Sequence, residues 1–252
     1  MELTGGQRTM SRSQQTHIEK PADFYAEWKG KDGKLVYRKD GENVEIQLPF
    51  TFMVLDQLDT VVGFDGMANK AYYSTEVRNS RLQTIFVRKD GQMVHKGTWT
   101  DDSLKRYQDL KFAKSIYIAY YNDKKELCIG NIKATGSFRN AWFEFTKGKN
   151  IYEGTVTVVA PVQTKHGANV FFSPSFEQRF NLTPETEKAA KALDAKLQEY
   201  LKGYLHGNVI ADSDHPNVIT DSFSKDPDAA INQSAPTVVA TNDAEDWDDI
   251  PF

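Results

Sequence analysis

Between residues 24 and 182 apolar side chains alternate with polar ones in short runs cut by turn residues, and β-branched and aromatic types fill the apolar positions. A period of two sends successive side chains to opposite faces of an extended strand, so such a chain must bury one face of a sheet. The spacing predicts strands over residues 44–48, continuing through 52–55 and 61–64, then 71–77, 84–88, 93–99, 116–121, 126–134, 141–146, 153–162 and 169–172. Lys89-Asp90-Gly91 and Asn122-Asp123-Lys124 each join two of these runs, and Asp-Gly supplies the positive φ that tight hairpins need.

Residues 100–114 change to helical spacing, with Thr100 as N-cap, Asp101 and Asp102 in the first turn, and Leu104, Tyr107, Leu110 and Lys111 beyond. One helix between the third and fourth strands of a five-stranded Greek-key barrel is the OB-fold pattern, and the surplus strands imply added hairpins. Residues 21–182 are therefore expected to form one mainly β, OB-fold domain. A C-terminal helix is expected over 183–207, with Thr183 as cap, Pro184 at the first helical position and Glu185 and Glu187 complementing the helix dipole. Its stripe of Ala189, Leu193, Leu197, Tyr200, Leu201 and Tyr204 suits packing on the barrel or pairing with a second protomer in a homo-oligomer.

Both ends have a different composition. Residues 1–20 are polar and aperiodic, and Thr4-Gly5-Gly6-Gln7 resembles part of an expression tag, so they are set aside as a disordered N-terminus. Residues 208–252 are rich in Asp, Ser, Asn, Pro and Ala with scattered single apolar residues, too few to offset ordering entropy, so a disordered tail is expected. Ten Asp and Glu against Lys225 alone give residues 212–252 a net charge of −9, which leaves residues 1–211 at +5 within the total of −4. A basic body with an acidic leash suits a polyanion-binding core that also engages proteins.

Several classes are disfavoured. The lone Cys128 cannot staple a fold or form a thiolate metal site, and the five His show no ligand spacing, so neither metal nor other cofactor is expected. No stretch is long and apolar enough for a membrane span or a secretory leader, which makes a cytoplasmic protein the expectation. Each Gly-Lys is followed by Asp, Leu or Asn, so there is no Walker A phosphate cradle. Asp109-Leu110-Lys111 and Asp123-Lys124-Lys125 fit a fragment of a metal-dependent nuclease, but such triplets are common in charged loops, and the chain is read as a non-enzyme.

Gripping an unpaired strand without sequence preference takes aromatic faces for bases and cations for phosphates. Tyr72 and Tyr73 lie on opposite faces of one strand, and Arg78 shares the parity of Tyr72, which makes Tyr72 the outward ring. Within 141–146, Phe143 and Phe145 share a face, which leaves Trp142 on the wet one. Tyr117 and Tyr121 oppose Ile116, Ile118 and Tyr120, with Lys124 and Lys125 in the following turn. Arg81, Arg88, Lys89 and Lys96 are the phosphate candidates, with Trp99 on the return strand, and Lys165 belongs to a further cationic turn.

The chain closes on Trp247-Asp248-Asp249-Ile250-Pro251-Phe252. Folding asks for no such peptide: a terminal ring beside a stiff Pro is an apolar anchor, and the Asp pair supplies acceptors for Arg or Lys on another protein. Asp-Asp-Ile-Pro-Phe resembles the tip of bacterial single-stranded DNA-binding proteins, where it recruits replication and repair enzymes. Trp247 departs from the acidic residue usual before Asp248, though Glu245 and Asp246 restore acidity upstream. An OB-like body, a C-terminal helix and an acidic tail also resemble the bacteriophage-encoded members of that class. The resemblance implies a protein that coats single-stranded DNA, and duplex DNA more weakly, during phage DNA replication, recombination and repair in the host bacterial cytoplasm. A strand-annealing mediator, or a hub that captures the same partners without DNA, stands as the alternative.

Overall fold

The structure is a computed structural model that describes residues 20–101, 109–166 and 169–212. It is mainly β, in keeping with the period-two patterning. The described strands are β1 (Tyr25–Lys29), β2 (Lys34–Lys39), β3 (Glu42–Ile46), β4 (Phe50–Asp65), β5 (Lys70–Ser74), β6 (Ile85–Lys89), β7 (Gln92–Gly97), β8 (Leu110–Tyr121), β9 (Leu127–Ala134), β10 (Thr155–His166) and β11 (Asn169–Arg179). Among the described residues two helices accompany them, α1 (Gly136–Thr146) and α2 (Pro184–Asp212).

The strands form a mixed, open sheet in the order β3-β2-β1-β9-β8-β4-β5-β6-β7. β1 runs parallel to β9, while β10 pairs with the first residues of β4 and with β11. Within this order β4, β5 and β6 are successive antiparallel neighbours, and β8 returns to lie beside β4. With β7 beside β6, this part of the sheet reads 5-1-2-3-4, a four-strand meander whose fifth strand returns beside the first. The long β4 is the spine, sixteen residues with a bulge between Val54 and Asp56.

Each face of the spine buries a different core. Phe52 and Val54 of β4, Ile116 and Ile118 of β8, and Ile132 of β9 pack against Phe138 and Trp142 of α1 and Val156 and Val158 of β10. On the other face Met53, Leu55, Leu58, Tyr117, Ala119 and Ile129 meet Leu197 and Leu201 of α2. A third cluster of Val61, Tyr72, Val77, Ile85, Val87 and Leu110 fills the first face toward the β5–β7 end.

Sequence expectation and structure part at several elements. Residues 141–146 are the second half of α1, not a strand. A five-residue window fits either period, whereas Phe138, Trp142 and Phe145 at i, i+4 and i+7 make one helical face that packs into the core. The middle of the expected helix over 100–114, residues 102–108, lies outside the described residues, and Leu110–Lys114 belong to β8, where Leu110 pairs with Gly63 and Lys114 with Asp59. β1 and β2 escaped the sequence reading altogether. Asp40-Gly41, with φ of 52° and 84°, turns β2 into β3 by the same left-handed chemistry as Asp90-Gly91, with φ of 53° and 77°, in the β6–β7 hairpin. The strand expected over 71–77 ends at Ser74, and Val77 makes a lone bridge to Asp59.

The C-terminal helix starts at Pro184 as expected and runs on to Asp212. Thr183 Oγ1 accepts the Thr186 backbone N–H at 3.2 Å, the capping bond that orders its first turn. It packs on the sheet, with Ala190 rather than Ala189 facing inward. Residues 213–252, the tip included, lie outside the described residues. Among the described residues no helix is long and apolar enough to cross a membrane, and no three His, Cys, Asp or Glu come together as a metal-holding group.

Candidate nucleic-acid interface

Antiparallel partners share a face of a sheet, so register alone assembles a surface. Lys111 of β8 pairs with Val62 of β4, Val62 with Tyr73 of β5, Tyr73 with Arg88 of β6, and Arg88 with Met93 of β7. These five side chains cross five strands in one row, about 19 Å at the usual strand spacing. Phe64 stands two residues beyond Val62 on the same face. Lys96 pairs with Phe86, two residues before Arg88, and its ammonium lies 5.6 Å from the Phe86 ring centre. α2 covers this face over β4, β8 and β9 farther along, where Leu197 and Leu201 sit. Phe64 and Tyr73 are therefore open, 44% and 40% exposed, with Lys111 and Lys96 also exposed around them.

Two exposed rings flanked by three cations are what unpaired nucleotides need: π-faces for bases and charge for phosphates. Arg88 and Lys96 were legible as phosphate candidates, and the fold places both here. Phe64, Tyr73 and Lys111 were missed. The signal for Tyr73 was the Tyr72-Tyr73 pair itself, read with the wrong parity. Tyr72 is the buried one, in the third core cluster with the Lys89 ammonium 5.3 Å from its ring centre. Parity with Arg78 misled because β5 stops at Ser74, before Arg78.

Other expected contacts have structural employment. Arg78 Nη1 donates to both Asp56 carboxylate oxygens at 2.5 and 2.6 Å, and its Nη2 donates to Gln198 Oε1 of α2 at 3.0 Å. It fastens the helix to the sheet. Lys89 is ion-paired with Asp65 at 2.5 Å, and that hydrogen bond holds the Asp65 carboxyl below and the Lys89 ammonium above their usual ranges. Trp99 is half-buried against Phe112, ring centres 5.6 Å apart. Trp142 is buried in the core, on a helix, with Nε1 donating to Gln57 Oε1 at 2.8 Å, so it offers no wet indole. Tyr117 is buried under α2, because the face it shares with Tyr121 is the one the helix covers. Tyr121 stays exposed and lies within 3.3 Å of the Thr186 hydroxyl. With Lys124 and Lys125 it occupies the far end of β8, roughly 33 Å along the strand from Lys111. Arg81 is exposed in the connection between β5 and β6, and Lys165 is exposed on β10, apart from the row.

Beside the row, beneath α2, lies a buried polar cluster. Glu76 receives the Tyr117 hydroxyl at 2.8 Å and the Lys133 ammonium, while its backbone N–H donates to the Tyr204 hydroxyl of α2 at 3.0 Å. Burial alone would raise the Glu76 carboxyl, but the Lys133 charge with hydrogen bonds from Lys133, Ser115 and Tyr117 outweighs it and holds the group below its usual range. Tyr200 is pushed up to about 12 by burial and then by the Glu76 charge. Tyr117 and Tyr200 thus stay protonated, and the cluster meets α2 through the Tyr204 hydroxyl, around one ion pair.

Comparison of the chain with protein-family models, with curated proteins and with solved structures finds no match.

Proposed function

We propose that this protein binds single-stranded DNA without catalysing a reaction, on the face built from Phe64, Tyr73, Arg88, Lys96 and Lys111. The observation that carries the reading is the register that sets Lys111, Tyr73 and Arg88 in one uncovered row with Phe64 beside it. A stack on one exposed ring is worth about 1–3 kcal/mol per base and tolerates every base, which suits coating rather than sequence reading. A duplex hides its base faces, so only its phosphates could engage this row, and more weakly. The return of β8 to lie beside β4 supports an OB-like core, in which β5 and β6 stand as the second and third strands, the pair whose face takes oligonucleotides in that fold. In this reading the acidic tail presents Trp247–Phe252 to replication and repair proteins, as in the phage-encoded single-stranded DNA-binding proteins the chain resembles.

The test is a titration of labelled oligothymidylate and of the matching duplex, with and without magnesium. Micromolar or tighter hold on the single strand, weaker hold on duplex and no product are expected. Absence of single-strand binding at low ionic strength would overturn the reading. Accelerated pairing of complementary strands would reassign the chain as an annealer, and cleavage would make it a nuclease.

A further inference from the structure

The β6–β7 hairpin carries a bulge that decides which of its side chains reach the Tyr73 face. Val87 pairs with His95 and Arg88 with Met93, so Val94 is the extra residue between them. In an unbroken strand Met93 and Lys96, three residues apart, would stand on opposite faces. The extra residue brings both to the face of Arg88 and Tyr73, while Val94 packs against the third core cluster. Met93 thereby ends the row, opposite Arg88 and 58% exposed. Opposed side chains on neighbouring strands stand about 5 Å apart at Cβ, so the thioether lies within reach of the guanidinium and of a nucleotide whose phosphate it holds. Among the described residues sulfur occurs at Met53, Met67, Met93 and Cys128. Met53 is buried under α2. Cys128 Sγ accepts from Asn122 Nδ2 at 3.3 Å, and burial pushes the thiol up, away from the thiolate that oxidants attack. Met67 projects from the turn between β4 and β5, with no strand register to join it to Arg88. Met93 alone of the four combines exposure with a place in the row.

We infer that Met93 is a contact of the strand-binding face and a peroxide-sensitive modification site, through which oxidation loosens the hold on single-stranded DNA. The inference rests on the single-strand reading of the Tyr73 face. A lone pair of the thioether sulfur attacks one oxygen of hydrogen peroxide, the O–O bond breaks and an S–O bond forms. The proton of the transferred oxygen passes to the departing one, which leaves as water, so sulfur is oxidised and the peroxide reduced. A flexible apolar group becomes a polar sulfoxide. Its oxygen is an acceptor standing opposite Arg88, where it competes with phosphate for the guanidinium. The added dipole must also shed water before a base can pack against it. Both effects act at the end of the row and leave the core untouched.

The experiment uses the full chain and a fluorescein-labelled oligothymidylate, with affinity measured before and after treatment with hydrogen peroxide and its removal by catalase. Mass spectrometry of proteolytic fragments reads which thioethers carry oxygen. Oxidation at Met93 is expected to weaken binding about fivefold and to flatten the salt slope by about 0.7, the share of one phosphate. The response is the ratio of the two affinities within each variant. Met93→Leu, whatever its starting affinity, loses that response, and Met67→Leu keeps it. Because Met93 is exposed, the thermal midpoint of the oxidised parent stays with that of the untreated protein. Unchanged affinity or salt slope after oxidation at Met93, an equal response in Met93→Leu, or a thermal midpoint that falls with the affinity overturns the inference and leaves the Tyr73 face intact. Met93 left unoxidised overturns it as well. Failure of the untreated parent to bind the strand overturns the face and the inference together.

Discussion

The Tyr117 hydroxyl donates to the buried Glu76 carboxylate at 2.8 Å beneath α2, and Lys133 completes the charge balance from β9. Glu76 follows β5 in sequence, Tyr117 belongs to β8, and Tyr204 of α2 accepts the Glu76 backbone N–H. One carboxylate therefore ties the sheet to the helix that covers it. Removing the charge with Glu76→Gln leaves the Lys133 ammonium without its partner, and because Lys133 is 25% exposed the expected loss is about 2–3 kcal/mol of unfolding free energy. Urea denaturation measures it, and Glu76→Gln/Lys133→Met recovers most of it.

The same carboxylate sets a pH dependence. Its folded pKa lies below the unfolded value of about 4.3, so the stabilisation is complete above that pH and is lost as the pH falls through the lower folded value. Thermal midpoints recorded from about pH 5 to pH 3 should fall more steeply for the parent than for Glu76→Gln. Parallel curves would remove Glu76 as the group responsible.

Tyr72 and Tyr73 separate stability from binding at adjacent positions. Tyr72→Ala opens a cavity in the third core cluster and should cost about 3 kcal/mol. Tyr73→Ala removes an exposed ring, with a stability change of about 0.5 kcal/mol or less and roughly tenfold weaker single-strand binding. The opposite pattern would show that the sheet presents its other face.

Phosphate contact leaves a signature in salt. The logarithm of affinity should fall linearly with the logarithm of salt concentration, at about −0.7 per phosphate neutralised on a single strand. Arg88→Ala and Lys111→Ala should each flatten that slope by about 0.7. A slope that neither variant changes would take both cations out of the interface.

Trp142→Ala should destabilise the fold by about 3–5 kcal/mol, through the cavity among Phe52, Phe138 and Phe176 and the lost bond to Gln57. Folded variant should bind oligothymidylate like the parent. Weaker binding at full folding would return the indole to the interface.

For the tail, the proposed reading makes the terminal ring the anchor, so Phe252→Ala should leave DNA affinity unchanged and weaken capture of replication and repair proteins. Removing residues 212–252, which carry a net charge of −9, should preserve or raise DNA affinity. Tenfold weaker binding on truncation would contradict a competing role for the tail.

Local chemistry was legible wherever one residue type or one period decides the conformation. Period-two runs gave a mainly β chain. Asp90-Gly91 gave a hairpin because two positive φ angles admit few residues, and Thr183-Pro184 gave a helix start because a hydroxyl cap and a residue without an N–H both fit there. Lys96 was legible as an exposed cation, and Arg88 as a half-buried one beside it, because hairpin ends lie near water.

The sequence by itself therefore settled that most of the chain extends, where several turns fall, and how charge divides along it, since each follows from a few neighbouring residues. Only the tertiary structure decided which face of each strand is covered. Tyr117 is buried and Tyr73 open because α2, whose Leu197 comes 80 residues after Tyr117 and 124 after Tyr73, lies on one part of a face and stops short of the other. Alternation within a strand fixes two faces but carries no record of what packs on them, so Trp142 and Tyr72 went inside while Phe64, Tyr73 and Lys111 were gathered into a surface by register across strands distant in sequence.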